Sequence, residues 1–156
     1  MVIALFVYLF AVVVWLGGML FFTIIAAPAV FEVLATVDAG KVVAAIFPRY
    51  YLIGYMAGTI GVILAIYFAL QHGPTLWWSL AGLALAIALA LTFYAGAAVR
   101  PQINAIRAVA TEANPDPARK AEFDRLHRLS VVLNGGVMVL NLLALLSTAT
   151  AVAPRG

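Results

Sequence analysis

Four long apolar runs, separated by segments that hold nearly all the charge, dominate the pattern of the 156-residue chain. No charged residue interrupts the first, Val2 to Phe31. A hydrocarbon core of about 30 Å is spanned by roughly 20 helical residues rising about 1.5 Å each, so this run crosses a bilayer with turns to spare. Further runs over about 48–70, 75–100 and 129–152 meet the same length requirement. The pattern predicts an all-α integral membrane protein, a four-transmembrane-helix bundle forming a single membrane domain over 1–156.

Punctuation residues set the expected limits of these spans. Pro28 falls late enough in the first run to kink or end its last turn. The following linker holds Glu32, Asp38, Lys41 and Arg49, and residues 42–47 read as a short interfacial helix. Pro48 suits the first turn of the second span, where its missing N–H is harmless. Gly54 and Gly58, with Gly61 beyond, leave one face of that span bare enough for close helix contact. Gln71-His72-Gly73-Pro74 reads as a tight turn, after which Trp77 and Trp78 stand where an aromatic belt is expected.

The third span is rich in alanine and ends at Arg100-Pro101, beyond which Ile103, Ile106 and Ala110 recur at helical spacing. Asn114-Pro115 marks a turn, Asp116 an N-cap and Pro117 a first helical position. From there Lys120 and Asp124, Asp124 and Arg128, and Glu122 and Arg125 stand at pairing distances along a helix that continues into the fourth span. Residues of about 101–128 thus form a helical hairpin that extends the third and fourth helices out of the bilayer.

Composition agrees with this reading: 66% of residues are hydrophobic and 10% charged, outside the range of soluble domains. The absence of cysteine excludes disulfides, thiolate metal sites, iron–sulfur clusters and cysteine nucleophiles. The net charge of +3 does not point to nucleic acid, because the basic residues flank spans. Lys41, Arg49, Arg100, Arg107, Arg119, Lys120, Arg125 and Arg128 fall on one side and Arg155 on the other. The positive-inside rule makes the charged side, with its hairpin, cytoplasmic and places both termini outside a cell (inner) membrane. The first run lacks a positive n-region and exceeds a signal peptide in length, so it is expected to persist.

With that topology, the polar residues near the charged boundary converge in one layer: Glu32, Arg49, Tyr50, Arg100, Asn104, His127, Ser130 and Asn134. Such a layer is either a mouth that binds an anion, a lipid head group or a solute, or a set of snorkelling and capping side chains. Asn134 and Asn141 share a helix face, and Asn141 falls near mid-membrane, where an amide needs a partner. Thr23, Tyr67 and Thr92 are candidates. No Asp, Glu, Lys, Arg or His lies in the interior of a span, which argues against ion-coupled pumping. His72 and His127 stand at opposite ends, so no metal or haem site is expected and no cofactor is implied. No nucleophile–base pair or phosphate loop appears. Gly17-Gly18 and Gly135-Gly136 read as packing sites, and the abundance of small residues predicts a homo-oligomer in the bilayer.

Trp15-Leu-Gly-Gly-Met-Leu-Phe-Phe22, Pro28-Ala-Val-Phe31, Phe47-Pro-Arg-Tyr-Tyr51, Arg100-Pro101 and Leu126-His127 together resemble the transmembrane-protein-205-like family, domains of unknown function. The resemblance implies a four-helix membrane protein and marks Trp15, Gly17, Gly18, Pro28, Phe31, Pro48, Arg49 and Tyr50 as family-like positions. The first motif is more distantly similar to copper-resistance D proteins and to membrane proteins that oxidise protoporphyrinogen. Those carry a histidine in the first span, where this chain has Tyr8. The leading expectation is a protein that binds or passes a small solute or ion through the bundle or an oligomer interface. A non-catalytic scaffold that engages a partner through the hairpin is the alternative, and a haem- or porphyrin-linked oxidoreductase a third.

Overall fold

The computed structural model describes residues 1–71, 76–110 and 116–153, and among them every regular element is a helix. They are α1 (Val2–Phe21), a π-helical turn (Phe22–Ala26), α2 (Ala27–Val33), α3 (Thr36–Gln71), α4 (Leu76–Tyr94), a second π-helical turn (Ala95–Val99), α5 (Arg100–Ala110) and α6 (Pro117–Val152). Joined end to end they make four stretches long and apolar enough to cross a bilayer: Val2–Val33, Thr36–Gln71, Leu76–Ala108 and Pro117–Val152. The chain is an all-α multi-pass membrane bundle. The expected turns at His72-Gly73-Pro74 and Asn114-Pro115, together with Arg155, lie outside the described residues.

Proline acts differently at three positions within the spans, Pro28, Pro48 and Pro101. Pro48 does not start a helix; it sits inside the continuous α3. The reason is a buried stripe that runs through it at helical spacing, with Gly40 and Val43 on one side of the proline and Tyr51, Gly54, Gly58, Gly61 and Phe68 on the other. Keeping both halves on one axis buries this stripe, which offsets one missing backbone bond. Pro28 and Pro101 each follow a π-helical turn that ends two residues earlier. In those turns Ala27 N–H bonds to Phe22 O and Arg100 N–H to Ala95 O, five residues back instead of four. The wider ring moves carbonyls away from the proline that would otherwise clash with them.

Side by side, α1 packs on α3, α3 on α4 and α4 on α6, while α1 and α6 touch sparingly. Alanine makes the central contacts close: Ala81, Ala84 and Ala88 of α4 are buried. The bare face of α3 meets α1 and α4 together. A Cβ added to Gly58 would lie 2.8 Å from the Trp15 ring and 2.8 Å from Leu89 Cδ1, and one on Gly54 would lie 3.1 Å from Trp15 Nε1. The Trp15 indole therefore rests on Gly54 and Gly58. Gly17, Gly18 and Gly135 would have nothing within 4 Å of an added Cβ, so within one chain they pack against nothing.

At the end of the bundle nearest the termini, Tyr8, Phe68 and Trp78 form an aromatic cluster with centroids 4.6–6.3 Å apart. Trp78 is thus a core residue and only Trp77 faces outward. At the charged end, α5 and α6 close over Val99, Ile103 and Leu126 with Ile106, Phe123 and Leu133. Arg107 ties this hairpin to the start of α3 by donating to Gly40 O at 3.1 Å. Asp116 caps α6, accepting from Ala118 N–H at 3.2 Å. Lys120 pairs with Asp124 at 3.1 Å as expected, but Glu122 pairs with Arg119 at 3.6 Å instead of with Arg125. Side chains on a helix lean toward its N-terminus, which carries Glu122 back toward Arg119.

Gly58→Ala should lower stability to unfolding in mixed micelles by about 1–3 kcal/mol, because the added methyl forces Trp15 and Leu89 to shift. Gly17→Ala should change it by less than about 0.5 kcal/mol or raise it through helix propensity. An equal loss in both variants would contradict the seating of Trp15.

Candidate functional site

Polar groups from all four spans meet around a small void just inside the charged end of the bundle. Trp15 and Met19 of α1, Tyr50, Tyr51 and Gly54 of α3, Thr92 and Ala95 of the third span, and Ser130, Asn134 and Val137 of α6 line it. Its volume is about 20 Å3, and a polar site of that size admits a water molecule.

Each wall is positioned by a feature of its helix. Trp15 is pressed onto Gly54 and Gly58, which lays its Nε1 edge beside Gly54. Among the described residues that indole N–H has no hydrogen-bond partner. Asn134 crosslinks three spans: its Oδ1 accepts from the Tyr50 hydroxyl at 2.5 Å, and its Nδ2 donates to Thr23 Oγ1 at 3.2 Å. Thr23 belongs to the first π-helical turn and Ala95 to the second, so both widened turns flank this level. Gly96, also in the second turn, has the Tyr51 ring and the Tyr55 hydroxyl against it, with no room for a side chain. Tyr55 in turn stacks on Phe93 at 4.2 Å.

Ser130 lies beside Tyr51, and Arg100 is near enough to Tyr51 and Tyr55 to act on them electrostatically. Arg100 Nε is buried without a hydrogen-bond partner among the described residues. The guanidinium stands above the void and is not part of its wall.

Of the polar layer expected from sequence, the structure brings together Tyr50, Ser130 and Asn134, with Arg100 adjoining. Glu32, Arg49, Asn104 and His127 are exposed and stand away from the void; His127 stacks on Phe123 one turn earlier. Pro28, Phe31 and Pro48 also face outward. Asn141 lies deeper, wholly buried. Its Nδ2 donates to Val137 O at 2.9 Å, while its Oδ1 has no partner. None of the three candidate partners reaches it: Thr23 serves Asn134, Thr92 donates to Ala88 O at 2.8 Å, and Tyr67 is exposed.

Trp15, Tyr51 and Thr92 are the wall residues with a hydrogen-bonding group that sequence reasoning did not place in the site. A signal for Trp15 was present in the glycine pair, since an exposed glycine face in a bilayer calls for a large flat partner as readily as for a helix backbone. The Tyr8–Thr148 hydrogen bond, 2.8 Å, at the opposite end carried no such signal.

Architecture and site together define a small helical membrane bundle with a small void bordered by polar and apolar side chains of all four spans. The family model for a domain of unknown function, DUF4149, matches residues 10–112, and the chain belongs to that family. The match covers the void-lining residues of α1, α3 and the third span and ends before α6, which supplies Ser130 and Asn134. No curated protein and no solved structure matches the chain.

A double-mutant cycle with Tyr50→Phe and Asn134→Ala should give a coupling of about 1 kcal/mol in unfolding free energy, the value of one hydrogen bond in a partly buried network. Additive effects would show that the two side chains do not depend on each other.

Proposed function

We propose that the bundle binds a small polar solute in this void and passes it across the membrane. The observation that carries the proposal is the convergence of Trp15, Tyr50, Tyr51, Thr92, Ser130 and Asn134, from all four spans, on one enclosed space in an apolar bundle. In lipid, polar side chains that serve only to glue helices satisfy one another. Here the Trp15 indole lines the space, with its Nε1 edge beside Gly54 and no hydrogen-bond partner among the described residues.

The sparing contact between α1 and α6, bridged at this level by the single Asn134–Thr23 bond, offers a seam along which the void can widen. The proposal includes an inner-membrane location with the charged end cytoplasmic and both termini outside, supported by the sorting of basic residues. It includes a homo-oligomer, supported by the bare outer faces at Gly17, Gly18 and Gly135. The Trp15–Phe22 and Phe47–Tyr51 motifs support a kinship with the transmembrane-protein-205-like family. A second reading, a scaffold that docks a partner on the hairpin, is favoured by that hairpin's own apolar seam and its tether from Arg107 to Gly40.

Purified protein in liposomes should make the vesicles permeable to at least one class among neutral, anionic and cationic small solutes. Asn134→Leu should remove that permeability while the helical circular dichroism is kept. Vesicles as tight as protein-free ones to all three classes would contradict the proposal and shift the function to the hairpin.

A further inference from the structure

Asn134, Asn141 and Thr148 stand at intervals of seven on α6, so they fall on one face of the helix, separated by about 10 Å per interval. That face points into the bundle, since Asn141 and Thr148 are fully buried and Asn134 lines the void. The two outer members are each held by a tyrosine from another span. Tyr50 donates to Asn134 Oδ1, and Tyr8 bonds to Thr148 Oγ1. The direction of the second bond follows from a proton count. Thr148 uses its only hydroxyl proton on Ala144 O at 2.8 Å, so Tyr8 must be the donor. The middle member, Asn141, has no tyrosine, and its Oδ1 is the buried oxygen without a partner.

We infer that this face of α6 is the inner rail of a path for neutral molecules of about water's size, closed at its two ends by Tyr50 and Tyr8. The inference rests on the solute-passage reading above and names its substrate class. Charge and hydrogen-bond polarity along the path select that class. The void near Asn134 presents the Trp15 N–H and the hydroxyls of Tyr51 and Ser130, and the indole donor is unfavourable to a cation. Deeper in, Thr92 has given its only hydroxyl proton to Ala88 O and Asn141 one of its two amide protons to Val137 O. What remains on them is a Thr92 lone pair, the Asn141 Oδ1 and the second Asn141 N–H, uncharged groups too few to replace the hydration of an ion. Among the described residues no charged side chain lies in the wall itself, and the one cation that adjoins it, Arg100, stands at the charged end and not along the path. A molecule that both donates and accepts meets a partner at each station, whereas an ion must surrender its hydration to these uncharged groups.

Asn141 gives the path its conformational character. With its Oδ1 both buried and unpaired, the closed bundle leaves a polar group in hydrocarbon without compensation, and entry of a donor molecule satisfies it. At each end a tyrosine hydrogen bond adds to the packing of the tyrosine ring, on Phe68 and Trp78 for Tyr8 and on Phe22 and Phe47 for Tyr50, and both must yield for a molecule to pass.

The test is stopped-flow osmotic shrinkage of proteoliposomes, paired with potassium and chloride leak from the same vesicles. Wild-type protein should raise water permeability above that of protein-free vesicles and leave both ion leaks unchanged. Asn141→Leu should lower the protein-dependent water permeability by roughly tenfold or more, the effect of one lost hydrogen-bonding station. Its melting temperature should not fall, because the variant removes an unsatisfied acceptor; this separates a blocked path from a misfolded bundle. Tyr8→Phe, which keeps the ring in its aromatic cluster and removes only the hydroxyl, should raise water permeability several-fold. Three outcomes overturn the inference: Asn141→Leu conducting water like wild type, Tyr8→Phe leaving permeability unchanged, or ions crossing with water. Passage of a larger solute or an ion without water would overturn it while sparing the solute-passage reading. Vesicles tight to every solute would overturn both.

Discussion

The seating of the Trp15 ring on Gly54 and Gly58 is the contact on which the rest of the bundle depends. A large flat side chain from α1 rests where α3 has no side chains, with Leu89 and Thr92 of α4 completing the socket. Between lipid-facing helices there is no hydrophobic effect to draw the spans together, so such shape matching supplies dispersion contacts in its place. The same contact fixes where the indole N–H lies. Because the ring cannot slide off the glycines without losing both, its polar edge is held next to the space shared by Thr92, Ser130 and Asn134. Packing thereby dictates the position of a donor that packing alone does not require.

Two proline-linked π-helical turns then shape the charged end. Pro28 and Pro101 stand in different spans, yet each widens the turn before it, and the widened turns lie at the level of the void. The first presents Thr23 to Asn134, and the second presents the Gly96 surface to Tyr51 and Tyr55. A uniform α-helix would carry these positions around by the rotation of one residue. The prolines, exposed or at a span end, act on the site through the backbone ahead of them and not through their own contacts.

Much of this architecture was legible in the residues themselves. Apolar run lengths give the four spans, and Asp116-Pro117 marks the start of α6 as it is found. Pro48 misleads because its local effect on one hydrogen bond is smaller than the gain from a continuous buried stripe, which only the packed bundle makes visible. Trp78 misleads in the same way: an indole near a span end suits a membrane belt, but here Tyr8 and Phe68 hold it in the core. At the site, Tyr50, Ser130 and Asn134 could be grouped by depth alone, since one bilayer edge is common to all spans. Depth does not give azimuth, so Glu32, Arg49 and His127 share the level and point away. Tyr51 and Thr92 look like ordinary apolar-helix residues until the glycine faces bring their helices close.

On this view the Trp15 indole N–H borders a hydrated space between the four spans. Water-edited solid-state NMR of the protein in lipid bilayers tests it most directly, with the Trp15 indole signal assigned from a Trp15→Phe sample. Magnetisation should pass from water to the Trp15 indole proton at short mixing times, despite its burial among apolar helices. An indole proton that receives water magnetisation no faster than the methyl groups of the surrounding core would contradict it.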